Sequence, residues 1–194
     1  MEPGHPEYSI MRIIAGSAKG CILKTPPGRG TRPATELVRG AIFSMLESAA
    51  DDWDYVLDLF SGSGALGIEA LSRGAGWADF VEQKRGCCDI IRQNLNKAGL
   101  EERAHVYCCP VARAISFLDK EYNIILVDPP YANPSIGKII QRLANSELVT
   151  DKTMVVVTHR PQRRLETTYA SLNLIKEHRH GDSVIALYSR EAPA

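Results

Sequence analysis

The chain lacks an excess of charge and any long apolar run. Lysine and arginine together number 23, as do aspartate and glutamate, so the formal net charge at pH 7 is zero. No apolar stretch approaches the roughly 20 residues that a helix needs to cross a bilayer, so no membrane association is expected. Residues 1–10 have neither a basic nor an apolar region, which excludes a secretory signal and predicts a disordered extension.

The sequence also lacks a disulfide framework and a set of metal ligands. The five cysteines are odd in number, and four of them form the adjacent pairs Cys87-Cys88 and Cys108-Cys109. Adjacent residues on a strand point to opposite faces, which suits a tetrahedral metal poorly. The histidines show no spacing that would complete a set of metal ligands. We therefore expect free thiols, no bound metal and a reducing, cytoplasmic location.

The zero net charge hides an uneven distribution. The segment from Arg12 to Arg39 has one acid, Glu36, and a net charge of +5, from the basic residues Arg12, Lys19, Lys24, Arg29, Arg32 and Arg39. A local basic segment on a neutral chain is a candidate surface for the phosphates of a nucleic acid. The alternative is a solvated surface whose charge is balanced by other parts of the molecule.

From Tyr55 onward, short apolar runs alternate with amphipathic segments. Strands are predicted at 55–60, 77–82, 104–109, 122–128 and 153–158, with helices at about 64–73, 84–98, 111–119 and 135–146. Such alternation indicates an α/β fold with a mainly parallel sheet and helices on both faces. Two further apolar runs flank His180-Gly181-Asp182 and predict a terminal antiparallel hairpin.

The patterns divide the 194 residues into three regions. Residues 1–10 are the predicted extension, and residues 51–190 form the α/β domain. Residues 11–50, here called the N-terminal segment, are expected to form a small β-hairpin, a loop and a helix that carry the basic residues. We interpret this segment as an appendage of one domain, which is the usual number for a chain of this length.

A glycine-rich turn follows the first strand of the α/β domain, within Asp58-Leu59-Phe60-Ser61-Gly62-Ser63-Gly64. Glycine lets a ligand approach the backbone closely, and the N-terminus of the next helix offers free N–H groups. Gly62, Gly64 and Gly67 also fit the dinucleotide fingerprint, and Glu82 lies 20 residues after Gly62, close to the spacing of a ribose-binding acid. A nicotinamide-dependent oxidoreductase is therefore one alternative.

Three features favour another cofactor. Asp58 lies within the strand end, where a sulfonium-bearing zwitterion would benefit from a carboxylate and a dinucleotide would not. Dinucleotide binding has no use for Asp-Pro-Pro-Tyr at 128–131, and the chain is short for a dehydrogenase with its own substrate region. A turn without any ligand is disfavoured, because Glu82 and Asp128 are expected at the ends of neighbouring strands.

The tetrapeptide Asp128-Pro129-Pro130-Tyr131 follows the apolar run 123–127. The ends of such strands are where open α/β sheets carry their sites. The Asp128 carboxylate and the Pro129 carbonyl can accept hydrogen bonds from an amino group, and the prolines stiffen the loop. Tyr131 offers a flat face for an unstacked base. The alternative is a Pro-Pro turn with a surface tyrosine.

Together the two motifs resemble those of S-adenosylmethionine-dependent amino-group methyltransferases. The N-terminal segment narrows the resemblance to the bacterial 16S ribosomal RNA guanine-N2 methyltransferases of the RsmD family. The matching blocks cover most of residues 11–190: Arg12-Ile13-Ile14-Ala15-Gly16, Lys19-Gly20, Arg32-Pro33, Val38-Arg39, Ile42-Phe43, residues 58–75, Asp128-Pro129-Pro130-Tyr131 and Gly181-Asp182. The resemblance implies a Rossmann-like methyltransferase fold, S-adenosylmethionine as cofactor and ribosomal RNA, free or within a small-subunit particle, as the partner of a monomeric enzyme.

The resemblance also implies residue roles. A methionine and ribose pocket would include Asp58, Phe60, Ser61, Gly62, Ser63 and Gly64, with Glu82 and the adjacent Gln83 at the ribose and Cys109-Pro110 beside the adenine. Asp128, Pro129, Pro130 and Tyr131 would hold the amine, with Asp128 also bordering the cofactor. Arg12, Lys19, Arg32 and Arg39 would contact RNA, for which the planar guanidinium of arginine is well suited.

The chain departs from the family pattern at a few positions. Ala34 follows Arg32-Pro33 where a threonine is usual, Gly40 follows Arg39 where a glutamate is common, and Cys109-Pro110 stands where many relatives place an acid. The adenine contact could then come from backbone groups. Methylation of DNA adenine or protein glutamine is an alternative within the class. A noncatalytic RNA-binding module is another, which the intact Asp128 and Tyr131 disfavour.

Overall fold

A computed structural model describes residues 11–26, 35–130 and 135–190, so the predicted extension at 1–10 lies outside the described residues. A 3₁₀ turn spans Glu101–Arg103. The other elements of the described residues are β1 (Met11–Arg12), β2 (Ile22–Leu23), α1 (Glu36–Ala49), β3 (Tyr55–Leu59), α2 (Ala65–Ser72), β4 (Trp77–Glu82), α3 (Arg85–Ala98), β5 (Ala104–Cys108), α4 (Val111–Phe117), β6 (Tyr122–Val127), α5 (Ile136–Ala144), β7 (Val149–His159), β8 (Thr168–Tyr169), β9 (Leu172–His180) and β10 (Ser183–Ser189).

The main sheet has the order β5-β4-β3-β6-β7-β10-β9-β8. Strands β3 to β7 are parallel, and β10 is antiparallel to both of its neighbours, β7 and β9. This arrangement confirms the predicted Rossmann-like fold with a terminal antiparallel hairpin. It also places the carboxyl ends of β3 to β7 and of β9 at one edge of the sheet, here called the carboxyl edge.

The apolar core lies in two layers, one on each face of the sheet. One layer packs α1, α2, α3 and the β1–β2 hairpin against the sheet through residues such as Phe43, Ile68 and Ile91. The other packs α4 and α5 through residues such as Ile115 and Ile140. Because Met11, Ile13 and Leu23 belong to the first layer, the N-terminal hairpin shares the core of the α/β domain. None of the described helices is long and apolar enough to span a bilayer.

Two strands, β7 and β8, depart most from the prediction. Strand β7 begins at Val149 rather than near residue 153, because its register with β6 shifts between Tyr122 and Ile124. The Thr153 hydroxyl bridges this irregularity by donating to the Tyr122 carbonyl at 2.6 Å. The polar pair Asp151-Lys152 interrupts the apolar pattern there and conceals the strand. The two-residue strand β8 is too short to leave a periodic signal.

Buried polar groups of α2 hold the N-terminal hairpin in place. Both oxygens of Glu69, whose side chain is fully buried, accept backbone N–H groups, from Ile14 at 2.8 Å and Ala15 at 3.0 Å. The Ser72 hydroxyl donates to the Ala15 carbonyl at 2.6 Å and accepts from the Ala18 N–H at 2.9 Å. The backbone of the hairpin is therefore satisfied by side chains more than 50 positions away in sequence.

We expect Gly16→Ala to destabilise the protein far more than Gly20→Ala. Both glycines have positive φ, 82° and 83°, so alanine meets a similar backbone penalty of about 1–2 kcal/mol at each. Only at Gly16 would the new Cβ lie 1.8 Å from the Ser72 carbonyl oxygen, whereas nothing lies within 4 Å at Gly20. Urea unfolding of both variants measures the difference, and equal losses of stability would contradict the docking of the hairpin on α2.

Candidate active site

Three carboxylates converge at the carboxyl edge. Asp58 lies in β3, Glu82 ends β4 and Asp128 follows β6, and these strands are neighbours in the order β4-β3-β6. The negative charges of Asp128 and Glu82 both act on Asp58. Such a concentration of acids in a partly desolvated site is costly for the free protein, which is typical of a binding site for a cation.

Asp58 is the most deeply buried of the three, with 1% of its surface exposed. Burial raises the pKa of Asp58 to about 8, the charges of Asp128 and Glu82 add to the effect, and the hydrogen bond from Gly67 opposes it. That N–H group donates to Asp58 Oδ2 at 2.9 Å. A Cβ at Gly67 would lie 2.4 Å from Cε1 of Phe80 in β4, so glycine is needed for α2 to approach β4 so closely.

The backbone between β3 and α2 has three residues at positive φ: Phe60 at 61°, Gly62 at 56° and Gly64 at 79°. Gly64 is the N-cap of α2, and its N–H donates to the Ser61 carbonyl at 2.7 Å. Phe60 is strained, because a residue with a side chain rarely adopts the left-handed region. Backbone strain just before the N-terminus of a helix is typical of a turn that binds a ligand.

Glu82 fastens this turn to β4. Its Oε2 accepts the Gly62 N–H at 3.1 Å and its Oε1 accepts the Lys84 N–H at 2.8 Å. Each carboxylate oxygen has a second lone pair, so Glu82 can still accept two hydroxyl groups of a ribose. Gln83, the next residue, is exposed at the same edge.

Ser61 and Ser63 contribute to the turn in a way that the sequence did not reveal. The Ser61 hydroxyl donates to the Asp58 carbonyl at 2.6 Å and accepts from the Val81 N–H at 3.1 Å, so it joins β3 to β4. The Ser63 hydroxyl donates to Met11 Sδ at 3.4 Å and thus faces the N-terminal hairpin. Both side chains therefore shape the turn through contacts within the protein, and their predicted contacts with a cofactor stay a prediction.

Asn94 is a site residue that the sequence analysis missed. Its fully buried amide donates to the carbonyls of Ser63 and Lys24, both at 2.9 Å, and accepts the Lys24 N–H at 2.8 Å. The glycine-rich turn and the N-terminal hairpin are therefore joined through one side chain. The only signal in the sequence is a polar residue on the otherwise apolar face of α3, three positions after Ile91.

Asp128 is held at the end of β6 by its neighbours. The Thr158 hydroxyl, on the adjacent strand β7, donates to Asp128 Oδ1. Burial raises the pKa of Asp128, and this hydrogen bond opposes the rise. Pro129 is buried and Pro130 exposed, while Tyr131 lies outside the described residues. The carboxylate therefore lies at the carboxyl edge as predicted.

The loop expected beside the adenine lies at the same edge. Cys108 ends β5 opposite Glu82, Cys109 is half-buried and Pro110 is exposed. Pro110 caps α4, because its carbonyl accepts the N–H groups of Arg113 and Ala114 at 2.9 and 3.1 Å. All five cysteines are free thiols, and no group of three metal-ligating side chains occurs among the described residues.

The four basic residues predicted to contact RNA divide into different environments. Arg12 and Lys19 are exposed on the N-terminal hairpin, and Arg32 lies outside the described residues. Arg39 is only 2% exposed, and its guanidinium donates to the Arg12 carbonyl at 2.6 Å. Burial lowers the pKa of Arg39, and the charges of Glu69 and Glu36 oppose this. The prediction that Arg39 contacts RNA is wrong for this structure, because its side chain supports the hairpin from inside.

A groove of about 600 Å³ lies elsewhere, between α4 and α5. Its lining includes Ile115, Lys138, Gln141 and Arg142 and none of the three carboxylates. The groove is wide open to solvent and offers no buried polar group to a ligand. We therefore identify the candidate active site by the convergence of functional groups at the carboxyl edge.

Comparison with known proteins of similar sequence and fold identifies one family. The model of the family described as conserved hypothetical protein 95 matches residues 11–189. The ribosomal RNA small subunit methyltransferase D of Escherichia coli strain K12 is 34% identical over 196 residues, which cover 98% of this chain and 96% of the relative.

Solved structures agree with this assignment. A conserved hypothetical protein of Streptococcus pyogenes is 37% identical, with a TM-score of 0.74 over 79% of this chain and 96% of its own. An RNA methyltransferase of Salinibacter ruber in complex with S-adenosyl-L-homocysteine has the same fold, with 21% identity and a TM-score of 0.63 over 84% of this chain and 97% of its own. The chain therefore belongs to the conserved hypothetical protein 95 family, which confirms the resemblance to RsmD seen in its motifs.

Proposed function

We propose that this protein transfers a methyl group from S-adenosylmethionine to the exocyclic N2 of a guanine in 16S ribosomal RNA, acting as a monomer in the cytoplasm. The observation that carries the proposal is the position of Asp128, next to the buried Asp58 and the glycine-rich turn. The family relationship supports methylation of ribosomal RNA as the reaction. The choice of guanine N2 rests on the resemblance of the motifs.

The described residues fit the chemistry of the methyl donor. S-adenosylmethionine supplies a methyl group already activated by a positive sulfonium, together with a cationic amino group. The Asp58 carboxyl, raised in pKa by burial, is poised to ionise beside such a cation. Glu82 retains acceptor capacity for ribose hydroxyls, and the turn at Gly62 and Gly64 leaves room for close approach of a ligand.

Asp128 and Pro129 would position the guanine amine. The lone pair of this nitrogen is delocalised into the ring, so hydrogen-bond acceptors on its N–H groups favour the geometry needed for attack. S-adenosylmethionine would supply the methyl group to this nitrogen, which would give up a proton, and S-adenosylhomocysteine would be the leaving product. Asp128 would accept that proton, while positioning for in-line displacement accounts for most of the rate. Tyr131 would stack on the base.

The N-terminal hairpin would bind RNA near this site. Its exposed Arg12 and Lys19 carry positive charge, and its backbone is fixed by Glu69, Ser72 and Asn94. Arg32, which lies outside the described residues, is proposed to contribute by resemblance alone. Because Asn94 also holds the Ser63 carbonyl, the surface that docks RNA is rigidly joined to the cofactor turn.

The proposal predicts the product of a single reaction. Incubating the protein with isotopically labelled S-adenosylmethionine and small-subunit particles that lack the modification should yield N2-methylguanosine after digestion of the RNA to nucleosides. Incubation with naked 16S RNA, tested in parallel, distinguishes the free RNA from the assembled particle as the substrate.

The other outcomes separate the alternatives. Label in another nucleoside would retain RNA methylation and correct the target atom. Binding of S-adenosylmethionine without transfer to either RNA would favour DNA adenine or protein glutamine as the acceptor. Failure to bind S-adenosylmethionine would refute the proposed cofactor role and restore two alternatives, a nicotinamide-dependent oxidoreductase and a noncatalytic RNA-binding module.

A further inference from the structure

We propose that the loop after β7 forms a second phosphate-binding surface, which holds the RNA backbone beside the methyl-transfer site. This surface, here called the arginine loop, comprises residues 160–166 together with Arg179 at the end of β9. The inference rests on the proposed function, because its ligand is the RNA substrate. It concerns residues that the motifs leave without a role.

The loop begins at the carboxyl edge, next to Asp128. Strand β7 is parallel to β6 and pairs with it directly, so both strands end at the same edge. Thr158, which donates to Asp128 Oδ1, precedes Arg160 by only two residues. A phosphate bound here would flank a base whose amine lies at Asp128.

The loop is strongly basic over a short length. Residues 160–164 contain three arginines and no acid, with Arg160 and Arg164 exposed and Arg163 half-buried. Arg179 is also exposed. It lies level with His159 across the sheet, because Val184 of β10 pairs with both residues. Two strand spacings, about 10 Å, therefore separate the backbone at Arg179 from the end of β7.

Residues 159–182 keep a net charge of +2, because five lysines and arginines stand against three acids. Of these acids, Glu177 lies with its Oε2 3.8 Å from Nε2 of His159. Glu166 and Asp182 are exposed, and they are the other acids in residues 159–182, which hold five lysines and arginines. No large apolar side chain is exposed in residues 160–166, so the surface suits a polyanion better than an apolar protein partner.

The backbone of the loop is fixed before any ligand arrives. The Arg163 N–H donates to the Arg160 carbonyl at 2.9 Å across a turn that contains Pro161. At the other end, the buried hydroxyl groups of Tyr169 and Tyr188 bind both backbone groups of Glu166, accepting its N–H at 3.0 Å and donating to its carbonyl at 2.9 Å. Such preorganisation lowers the entropic cost of binding.

The test compares two pairs of substitutions that remove equal charge. In the first variant, Arg163→Gln and Arg164→Gln remove two of the four arginines of the arginine loop. In the control, Arg142→Gln and Lys152→Gln neutralise two exposed residues near the opposite edge, on α5 and the first part of β7. Binding of a fluorescent 16S RNA fragment is titrated from low to high salt, and binding of S-adenosylmethionine reports whether each variant is folded.

We expect the loop variant to bind the RNA fragment about tenfold or more weakly, with the slope of log K against log salt reduced by roughly 1.5–2 through two lost phosphate contacts. The control variant should retain the wild-type slope, and Arg163→Lys with Arg164→Lys should retain most of the affinity. The KM for RNA should rise in the loop variant while kcat changes little.

An unchanged slope in the loop variant, or an equal loss in the control, would overturn the inference. Methyl transfer by the unaltered protein is measured beside the titration. Wild-type transfer combined with an unchanged slope refutes the arginine loop alone, whereas binding without any transfer by the wild type refutes the proposed function and leaves the slope to decide the loop.

Discussion

Asp128→Asn should lower kcat for methyl transfer by about 10²–10⁴-fold, the range typical for a group that takes a proton in the transition state. Asparagine keeps the size of the side chain and can accept the hydrogen bond from Thr158. It cannot take the proton of the methylated amine, and it accepts hydrogen bonds less strongly than a carboxylate. Binding of S-adenosylmethionine should weaken much less. The measurement is single-turnover transfer at saturating cofactor, and near-normal turnover would exclude Asp128 from the mechanism.

Thr158→Val is the matched control for this substitution. Valine has nearly the same shape but removes the hydroxyl that donates to Asp128. Because that hydrogen bond opposes the rise in the pKa of Asp128, its loss should raise this pKa further. The acid side of the pH–rate profile should then move to higher pH, while the rate at alkaline pH changes little. An unmoved profile would mean that ionisation of Asp128 does not limit the reaction.

The carboxyl edge could be predicted because its signals are local. Each acid directly follows or ends an apolar run, so Asp58, Glu82 and Asp128 were expected on neighbouring strands before the sheet order was known. The glycine turn was visible for the same reason, since positive φ at Gly62 and Gly64 leaves its mark on residue type.

The attachment of the N-terminal hairpin could not be predicted from local patterns. Glu69 binds Ile14 across 55 positions and Asn94 binds Lys24 across 70, and neither contact changes the helical periodicity around it. The direction of Arg39 depends on the same contacts, because the pocket that accepts its guanidinium exists only once the hairpin has docked. Charge counting therefore located a basic segment correctly but assigned a buried arginine to its surface.

Asp58→Asn should make the cofactor-free protein more stable than the wild type, by a margin that grows as the pH rises. The pKa of Asp58 is about 8 in the folded state against an ordinary value of 3.8, so between these values the folded protein holds a proton that the unfolded chain has lost. The free energy of unfolding of the wild type therefore falls relative to the variant by about 1.4 kcal/mol per pH unit over this interval. Urea unfolding at pH 5, 6 and 7 should show the widening difference, which levels off above pH 8.

The same substitution should weaken S-adenosylmethionine binding by about 10- to 100-fold at pH 7.5, because a charge-assisted interaction is worth roughly 1.5–3 kcal/mol. Wild-type affinity should rise with pH up to about 8, since the cation binds best to the ionised Asp58, and the variant should lose this dependence.

A second buried aspartate provides the control for both effects. Asp79, 1% exposed, accepts hydrogen bonds from Trp77 Nε1 at 2.8 Å and the Tyr122 hydroxyl at 2.7 Å, with Lys120 Nζ at 3.2 Å. Because its charge is compensated within the protein, Asp79→Asn should destabilise the fold at neutral pH and leave cofactor affinity unchanged. Suppose that Asp58→Asn stabilises the protein and weakens S-adenosylmethionine binding, while Asp79→Asn does neither. Asp58 would then lower the stability of the free protein and serve to bind a cation. Equal destabilisation by both substitutions would instead make Asp58 an ordinary structural acid.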